Sequence, residues 1–275
     1  MIKLSPNFML NVRNPTKRSI LSSLAKIFDP LGFVLPVTVT GKVLMRNLWL
    51  RKFDWDTPLD NDDVIIWNKL CSDLDNLKNL EFNRKAYNDS DNLDLFIFCD
   101  ASKQMYGFVS YMRKTGESIS NKFLFAKARS SPLKTKTLPT LELMSVFLAF
   151  KCLESILTSV AANIGKVFVC VDAQIVLSWI LSKKIKSKNV FASNRVNDIS
   201  NISKILEEKF SVKFIFKYIP ISKNPADLLT RGISFSEFGK NMTFWLSGPE
   251  FLHSHFIEWE ENSLGCLSNQ SKLLT

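Results

Sequence analysis

Two short apolar runs that each end in an aspartate are the feature of this sequence that most restricts its fold. Leu95–Cys99 is followed by Asp100, and Val167–Val171 is followed by Asp172. Each run has five apolar residues, a pattern typical of a strand that is buried on both faces of a sheet. If the two strands lie side by side in parallel, both aspartates project from the same carboxyl edge, where α/β sheets bind their ligands.

The surrounding pattern predicts further strands that alternate with helices. Strands are predicted at Gly107–Met112, Lys122–Ala126 and Val212–Ile219, with a hairpin turn at Lys114–Ser120. Helices are predicted at Thr140–Leu157 (opened by Pro139), Ala173–Leu181 and Asn189–Lys209, and a short one after Asn224-Pro225. A meander of strands followed by alternating strands and helices predicts an α/β domain, with a mixed sheet flanked by helices.

The residues before this domain predict a mainly helical segment. Helices are expected at Ser19–Phe28, Thr40–Phe53 and Asp60–Leu80, and the polar stretch Arg84–Asn92 predicts a linker. We therefore expect three parts: an N-terminal segment at 1–90, the α/β domain at 91–235, and a C-terminal extension at 236–275.

Histidine and cysteine usage excludes several classes of enzyme. His253 and His255 are the only two histidines, and no two of the five cysteines form a C-x-x-C pair. This disfavours Ser-His-Asp hydrolases, Cys-His proteases, zinc sites and a disulfide framework. The sequence shows neither a signal peptide nor an apolar run of the roughly 20 residues that a spanning helix needs. We expect an intracellular, cytoplasmic protein that is neither secreted nor bound to a membrane.

Two more carboxylates join the two aspartates as candidate site residues. Glu142 heads the apolar stripe of the predicted helix Thr140–Leu157, and Asp227 follows Asn224-Pro225. Four converging carboxylates without His or Cys would form an all-oxygen site for Mg²⁺ or Mn²⁺. Two such ions about 3.5–4 Å apart can support phosphodiester cleavage. Each carboxylate also has a purely structural interpretation, as a turn or helix cap or as a complement to the helix dipole.

The positive charge lies in blocks that predict a polyanionic partner. The chain carries 36 Lys and Arg against 26 Asp and Glu, a formal net charge of +10. Residues 121–136 hold five basic residues and no acid, and residues 183–223 hold ten basic residues against three acids. Such blocks favour nucleic-acid binding, although they are also compatible with solvated surfaces.

The sequence around the four carboxylates resembles the Pol polyprotein of BEL/Pao-type LTR retrotransposons. The matching segments are Phe98–Ser102, Leu138–Leu143 and Asn224–Gly232. Thr16–Leu21 and Ala25–Gly32 resemble the segment that joins the reverse transcriptase to its ribonuclease H domain, and Trp245–Leu252 resembles the stretch beyond. The resemblance runs from about residue 16 to 252. The family is also known as the Pao retrotransposon peptidase family, but the sequence has no Asp-[Ser/Thr]-Gly loop, so peptidase activity is disfavoured.

The resemblance implies a ribonuclease H-like fold, preceded at 1–90 by a reverse-transcriptase connection or tether segment. It implies a nuclease that hydrolyses the RNA strand of RNA–DNA hybrids during reverse transcription, beside the reverse transcriptase portion of the same polyprotein. It makes Asp100, Glu142, Asp172 and Asp227 the catalytic, metal-binding residues for two Mg²⁺ or Mn²⁺ ions. The expected nucleic-acid contacts, to phosphates of the hybrid, are Lys134, Lys136, Asn194, Arg195 and Arg231.

Two departures from the family pattern keep an alternative open. Tyr218 stands nine residues before Asp227, where family members usually carry a histidine that assists proton transfer or product release. Cys170-Val171-Asp172-Ala173 replaces the usual Trp-Thr-Asp-Ser. The alternative is a catalytically silent or domesticated relic of the same fold, which binds RNA–DNA hybrids without cleaving them.

Overall fold

The computed structural model describes residues 2–3, 14–77, 80–82, 92–116, 119–160, 163–182 and 189–254. Its strands are β1 (Ile2–Lys3), β2 (Glu81–Phe82), β3 (Asn92–Ala101), β4 (Met105–Lys114), β5 (Ser120–Ser130), β6 (Asn163–Val171) and β7 (Lys213–Tyr218). Its α-helices are α1 (Lys17–Ala25), α2 (Leu35–Leu50), α3 (Asn61–Leu77), α4 (Leu138–Ser159), α5 (Gln174–Ser182), α6 (Val190–Phe210), α7 (Leu228–Arg231) and α8 (Phe235–Ser247). Short 3₁₀ helices cover Ile221–Lys223, Pro225–Asp227 and Glu250–His253. No helix in these ranges is long and apolar enough to cross a membrane.

The central sheet is mixed and has five strands in the order β5-β4-β3-β6-β7. The β3–β4 and β4–β5 pairs are antiparallel, whereas the β3–β6 and β6–β7 pairs are parallel. An antiparallel meander joined to a parallel half, with helices on both faces, is the ribonuclease H-like arrangement that the sequence predicted. β1 and β2 form a separate antiparallel pair.

Most predicted elements are present, with shifted ends. α2 begins at Leu35 rather than Thr40, because Pro36 fits the first turn of a helix, where its missing N–H needs no partner. The short helix after Asn224-Pro225 is a 3₁₀ turn that continues into α7. The predicted linker lies outside the described residues, except for Asn92, which begins β3. Residues 117–118 of the predicted hairpin turn also lie outside them.

Alternation along β3 divides the interior into two hydrophobic cores. Phe96 and Phe98 point into one core, whereas Leu95, Ile97 and Cys99 point into the other. All five are at most 1% exposed, so the strand is buried on both faces. The second core is filled by α4, α5 and α6. Because α4, α5 and α6 cover only one face of the sheet, residues before β3 or after β7 must cover the other face.

That second cover comes from the segments before β3 and after β7. α2 and α8 pack on the side of the sheet that Phe96 and Phe98 face, and α3 packs on α2 and α8 in the same core. Trp245 of α8 donates its indole N–H to the carbonyl of Phe33 at 2.7 Å, and the hydroxyl of Tyr111 in β4 donates to the carbonyl of Trp245 at 2.7 Å. The N-terminal segment, the sheet and α8 therefore share one core. The division at residues 90 and 235 stays a prediction.

A turn built around Asp29 holds the start of α2 against the edge strand β5. The Asp29 carboxylate accepts the backbone N–H groups of Gly32 and Phe33 on Oδ1 and of Val34 on Oδ2, at 2.9–3.0 Å. The turn also bonds to β5, because the backbone N–H of Ala126 donates to the Leu31 carbonyl at 2.9 Å. Burial raises the pKa of Asp29, and the three backbone bonds oppose that rise. One carboxylate thus satisfies three donors at the start of α2, which has no other side-chain cap.

We expect Asp29→Ala to lower the free energy of unfolding by about 2–3 kcal/mol, because it leaves partly buried N–H groups without acceptors. Asp29→Asn keeps one acceptor oxygen and should lose less. Chemical denaturation followed by circular dichroism measures both changes. Asp56→Ala is the control, since it removes only an exposed ion pair with Arg18 and should change stability little. Equal stability of Asp29→Ala and the wild type would show that the turn does not depend on this carboxylate.

Candidate active site

The parallel pairing of β3 and β6 places Asp100 and Asp172 at the same edge of the sheet. Cys99 pairs with Val171 in the register, and each aspartate is the next residue in its chain. Asp100 is buried, at 7% exposure, whereas Asp172 is half-buried. Two carboxylates therefore follow adjacent hydrogen-bonded strands, as the apolar runs predicted.

Asn224 attaches the segment after β7 to this edge. Its side-chain amide donates to the Cys99 carbonyl at 3.0 Å and to Asp172 Oδ2 at 3.4 Å. Its side-chain oxygen accepts the backbone N–H of Ala226 at 3.1 Å, which caps the 3₁₀ turn containing Asp227. Asn224 is 1% exposed, so these bonds form away from solvent. The turn that carries Asp227 is thus fastened to the ends of both strands.

Glu142 approaches the same edge from α4, in the second turn of the helix. Its neighbours Leu141 and Leu143 are buried in the core beneath the sheet, which fixes how the helix lies. Glu142 is half-buried, and the negative charge of Asp172 acts on it. The fourth predicted carboxylate is therefore within electrostatic reach of the strand edge.

Burial and mutual repulsion raise the pKa values of three of these carboxyl groups. Burial is the largest cause for Asp100, whose pKa is about 7, and the charges of Asp172 and Asp227 add to it, while a hydrogen bond from Thr230 opposes it. Burial followed by the charge of Asp172 raises the pKa of Glu142 to about 7. The pKa of Asp172 is raised by burial and by Asp227, against the bond from Asn224. Asp100, Asp172 and Asp227 therefore repel one another, and Glu142 is coupled to them through Asp172.

The donor chemistry of this cluster fits a hard divalent cation. All four side chains offer carboxylate oxygens, which suit Mg²⁺ or Mn²⁺, and a cation would relieve both the burial cost and the repulsion. Within the ranges that the structure describes, no three or more His, Cys, Asp or Glu side chains are grouped closely enough to hold a metal ion. The four residues therefore suit a divalent cation in their donor atoms and in their charge, but their side chains do not converge on one position for an ion.

Two of the predicted phosphate contacts meet at an aromatic cluster beside α4. The ammonium of Lys136 lies 4.3 Å from the ring centre of Phe191. The guanidinium of Arg195 lies 4.5 Å from the ring centre of Phe147 and 5.5 Å from that of Phe191, and it pairs with Asp198 at 3.1 Å. Stacking of this kind restrains both cations on one surface.

The other predicted contacts lie apart from that cluster. Arg231, which is exposed, reaches Asp227 at 3.3 Å and so adjoins the carboxylates. Lys134 is exposed in the loop before α4, and Asn194 is exposed on α6. The structure therefore brings Lys136 and Arg195 together, places Arg231 at the carboxylate cluster, and leaves Lys134 and Asn194 on open surface.

Two polar residues that were not predicted from the sequence bind the carboxylate edge. Thr230 is 1% exposed, and its hydroxyl donates to Asp100 Oδ2 at 2.7 Å. Ser102 donates its hydroxyl to the Thr230 carbonyl at 2.8 Å. The available signal was helical spacing, since Thr230 follows Asp227 by three residues and so lies on the same side of that turn.

The chain matches the model of the Pao retrotransposon-like RNaseH-like domain family over residues 16–173, and it belongs to that family. No curated protein sequence matches it. Several solved structures are similar in fold at low identity. Ribonuclease H1 from Halobacterium salinarum has 9% identity and a TM-score of 0.33, with 50% of this chain and 93% of that chain covered.

Two more solved structures resemble the chain at the same level. LC11-RNase H1 in complex with an RNA/DNA hybrid has 14% identity and a TM-score of 0.29, with 48% of this chain and 88% of that chain covered. The protease–reverse transcriptase of prototype foamy virus has 13% identity and a TM-score of 0.30, with 62% of this chain and 25% of that chain covered.

We expect Asn224→Ala to lower the free energy of unfolding by about 2 kcal/mol, because it leaves buried groups at the strand ends unpaired. Asn241→Ala is the matched control, since that amide only donates to the Glu237 carbonyl at an exposed position on α8. Thermal unfolding of the purified variants measures the difference. Equal losses in the two variants would contradict a fastening role for Asn224.

Proposed function

We propose that this chain hydrolyses the RNA strand of RNA–DNA hybrids during reverse transcription. Asp100, Glu142, Asp172 and Asp227 would hold two Mg²⁺ or Mn²⁺ ions, which supply an activated water and stabilise the leaving oxygen when bound. The observation that carries the proposal is the β3–β6 pairing, which sets Asp100 beside Asp172, where the charge of Asp227 acts on Asp100 and the charge of Asp172 acts on Glu142. Membership of the retrotransposon family supports the same reaction class.

The basic residues would bind the hybrid through its phosphates. Lys136 and Arg195 are held on one surface by Phe147 and Phe191, near the end of α4 that carries Glu142. The side-chain amide of Asn189, which begins α6, donates to Thr140 Oγ1 at 3.4 Å, so the first turns of α4 and α6 adjoin. Phosphates bound there would lie close to the carboxylates. Lys134, Asn194 and Arg231 would extend the contact, and recognition would depend on hybrid shape and 2′-OH groups rather than on base sequence.

We further propose that the segment at 1–90 is the connection to the reverse transcriptase portion of the same polyprotein. Its packing on the sheet supports this role, because α2 covers a face of the nuclease domain and α3 packs on α2 in the same core. The polymerase would thereby be joined to the nuclease through a shared core rather than through a loose linker.

The alternative function is binding of RNA–DNA hybrids without cleavage. Tyr218 favours it, because this residue ends β7 and pairs with Val171, directly beside the strand that leads to Asp172. Tyr218 stands there in place of the histidine that family members usually use to assist proton transfer or product release. Slow cleavage of the hybrid would favour the nuclease proposal, and tight binding of the hybrid without cleavage would favour the alternative function.

We expect the wild type to cleave the labelled RNA strand of an RNA–DNA duplex in MgCl₂ or MnCl₂. Cleavage should stop when the metal is chelated. Asp100→Asn should slow cleavage by about a hundredfold or more, because metal assistance is worth several kcal/mol at the transition state. Asp94→Asn is the control, since Asp94 lies at the opposite end of the same strand. The absence of wild-type cleavage in either metal would falsify the nuclease proposal and leave hybrid binding as the function.

We expect the double variant Lys136→Ala with Arg195→Ala to bind the hybrid more weakly, with a shallower dependence on salt. Each lost phosphate contact should reduce the slope of log affinity against log salt concentration by about 0.9. Fluorescence anisotropy at several salt concentrations measures the slope. Lys209→Ala is the control, because Lys209 lies at the far end of α6 and pairs with Glu154. An unchanged slope in the double variant would show that Lys136 and Arg195 do not contact the phosphates of the hybrid.

A further inference from the structure

We propose that Thr230 is a positioning residue for Asp100 and sets the affinity of the carboxylate cluster for a divalent cation. The inference rests on the proposed function. Thr230 lies on the four-residue helix α7, which follows Asp227 directly. Its hydroxyl oxygen is 2.7 Å from Asp100 Oδ2 and 3.0 Å from the Asp227 carbonyl. One side chain therefore contacts two of the four carboxylate residues.

The single hydroxyl proton of Thr230 goes to Asp100. A threonine hydroxyl has one proton to donate, and a hydrogen bond to the ionised form of a carboxyl group, the form that binds a cation, is shorter and about twice as strong as one to a neutral carbonyl. The two distances agree with that order, 2.7 Å against 3.0 Å. Thr230 and Asp100 are both buried, at 1% and 7% exposure, so water competes little for this bond.

Thr230 cannot readily turn away from Asp100, because its backbone is also held. The hydroxyl of Ser102 donates to the Thr230 carbonyl at 2.8 Å, and Ser102 lies just after the end of β3. The hydroxyl of Ser131 donates in turn to the Ser102 carbonyl at 3.2 Å. α7 is therefore tied to the end of β3 through a backbone group and through a side chain.

The consequence for Asp100 is a fixed carboxylate plane. The terminal torsion of an aspartate has a broad energy profile, so a carboxylate without a donor rotates freely. A cation site formed from such a group would lose affinity, because the rotation must be stopped on binding. The bond from Thr230, together with one from the backbone N–H of Ala101, restrains that rotation beforehand, in a cluster where like charges repel one another.

The neighbours of Thr230 on α7 turn its side chain inward, towards Asp100. Leu229 packs into the core, and the exposed Arg231 reaches the Asp227 carboxylate on the outer side. Thr230 faces inward between them, where its methyl group is also buried. Serine at this position would keep the donor, and valine would keep the shape without the donor.

The test compares cation binding in variants with and without the hydroxyl at position 230. Thr230→Val and Thr230→Ala lack it, and Thr230→Ser retains it. Thr38→Val is the matched control, because Thr38 is buried at 6% exposure in α2 and its hydroxyl donates only within that helix. Thermal unfolding of the full chain in increasing MgCl₂ or MnCl₂, without nucleic acid, gives the half-saturating concentration, and calorimetric titration checks it.

We expect the half-saturating cation concentration to rise about tenfold in Thr230→Val, the usual effect of losing a hydrogen bond to a charged group. Thr230→Ser and Thr38→Val should stay within about threefold of the wild type. In cleavage assays, kcat at low cation concentration should fall in Thr230→Val and recover at high concentration, while KM for the hybrid stays unchanged. If Thr230 had only a structural role, a high cation concentration would not restore kcat in Thr230→Val.

The outcomes separate this inference from the function on which it rests. Equal half-saturation in the wild type and Thr230→Val overturns the positioning role and leaves the nuclease proposal standing. If Thr230→Val does not fold, equal values in Thr230→Ser and Thr230→Ala overturn it in the same way. If the half-saturating cation concentration rises in Thr230→Val but the wild type cleaves no hybrid, the positioning role is supported and the nuclease proposal is overturned. No cation effect on the wild type overturns the metal site itself, and with it the role of Thr230.

Discussion

The parallel hydrogen-bonded ladder between β3 and β6 is the interaction on which both the fold and the site depend. It runs in register from Leu95 paired with Val167 to Cys99 paired with Val171. A slip of one residue would turn each side chain of a strand to the opposite face and would exchange the residues of the two cores. The same slip would separate Asp100 from Asp172. Core packing therefore selects the register, and the register selects which carboxylates are neighbours.

Burial of this sheet on both faces makes the flanking segments part of the structure of the ribonuclease H-like domain. α4, α5 and α6 cover one face, while α2 and α8 cover the other and α3 packs on both of these helices. Lys42 and Arg46 of α2 also donate to carbonyl groups of Ala128 and Ser131, at 3.4 Å and 3.1 Å. The loop between β5 and α4, which leads to Glu142, is thus supported from the N-terminal segment.

The sequence was sufficient to predict the helices, the strands and the sheet edge that carries Asp100 and Asp172. It was not sufficient to predict the hydrogen bonds that hold this edge together. Apolar runs and helical periodicity report burial, so they located β3, β6 and α4. The roles of Asn224 and Thr230 depend on contacts with residues more than 100 positions away. Local patterns carry no information about such partners. The early start of α2 was missed because the turn before the helix is held by Asp29 and the helix itself has no side-chain cap.

The bond between the Trp245 indole and the Phe33 carbonyl joins residues that are 212 positions apart. A ribosome makes the chain from its N-terminus at about 5–20 residues per second, so Phe33 is available long before Trp245. Through that interval the aromatic face of β3 and β4 lacks its last cover. Contacts of such large sequence separation also form late, because long loops must close first. The nascent protein therefore passes through a stage in which its edge carboxylates can already be adjacent while a large apolar surface is still open to chaperones or to other chains.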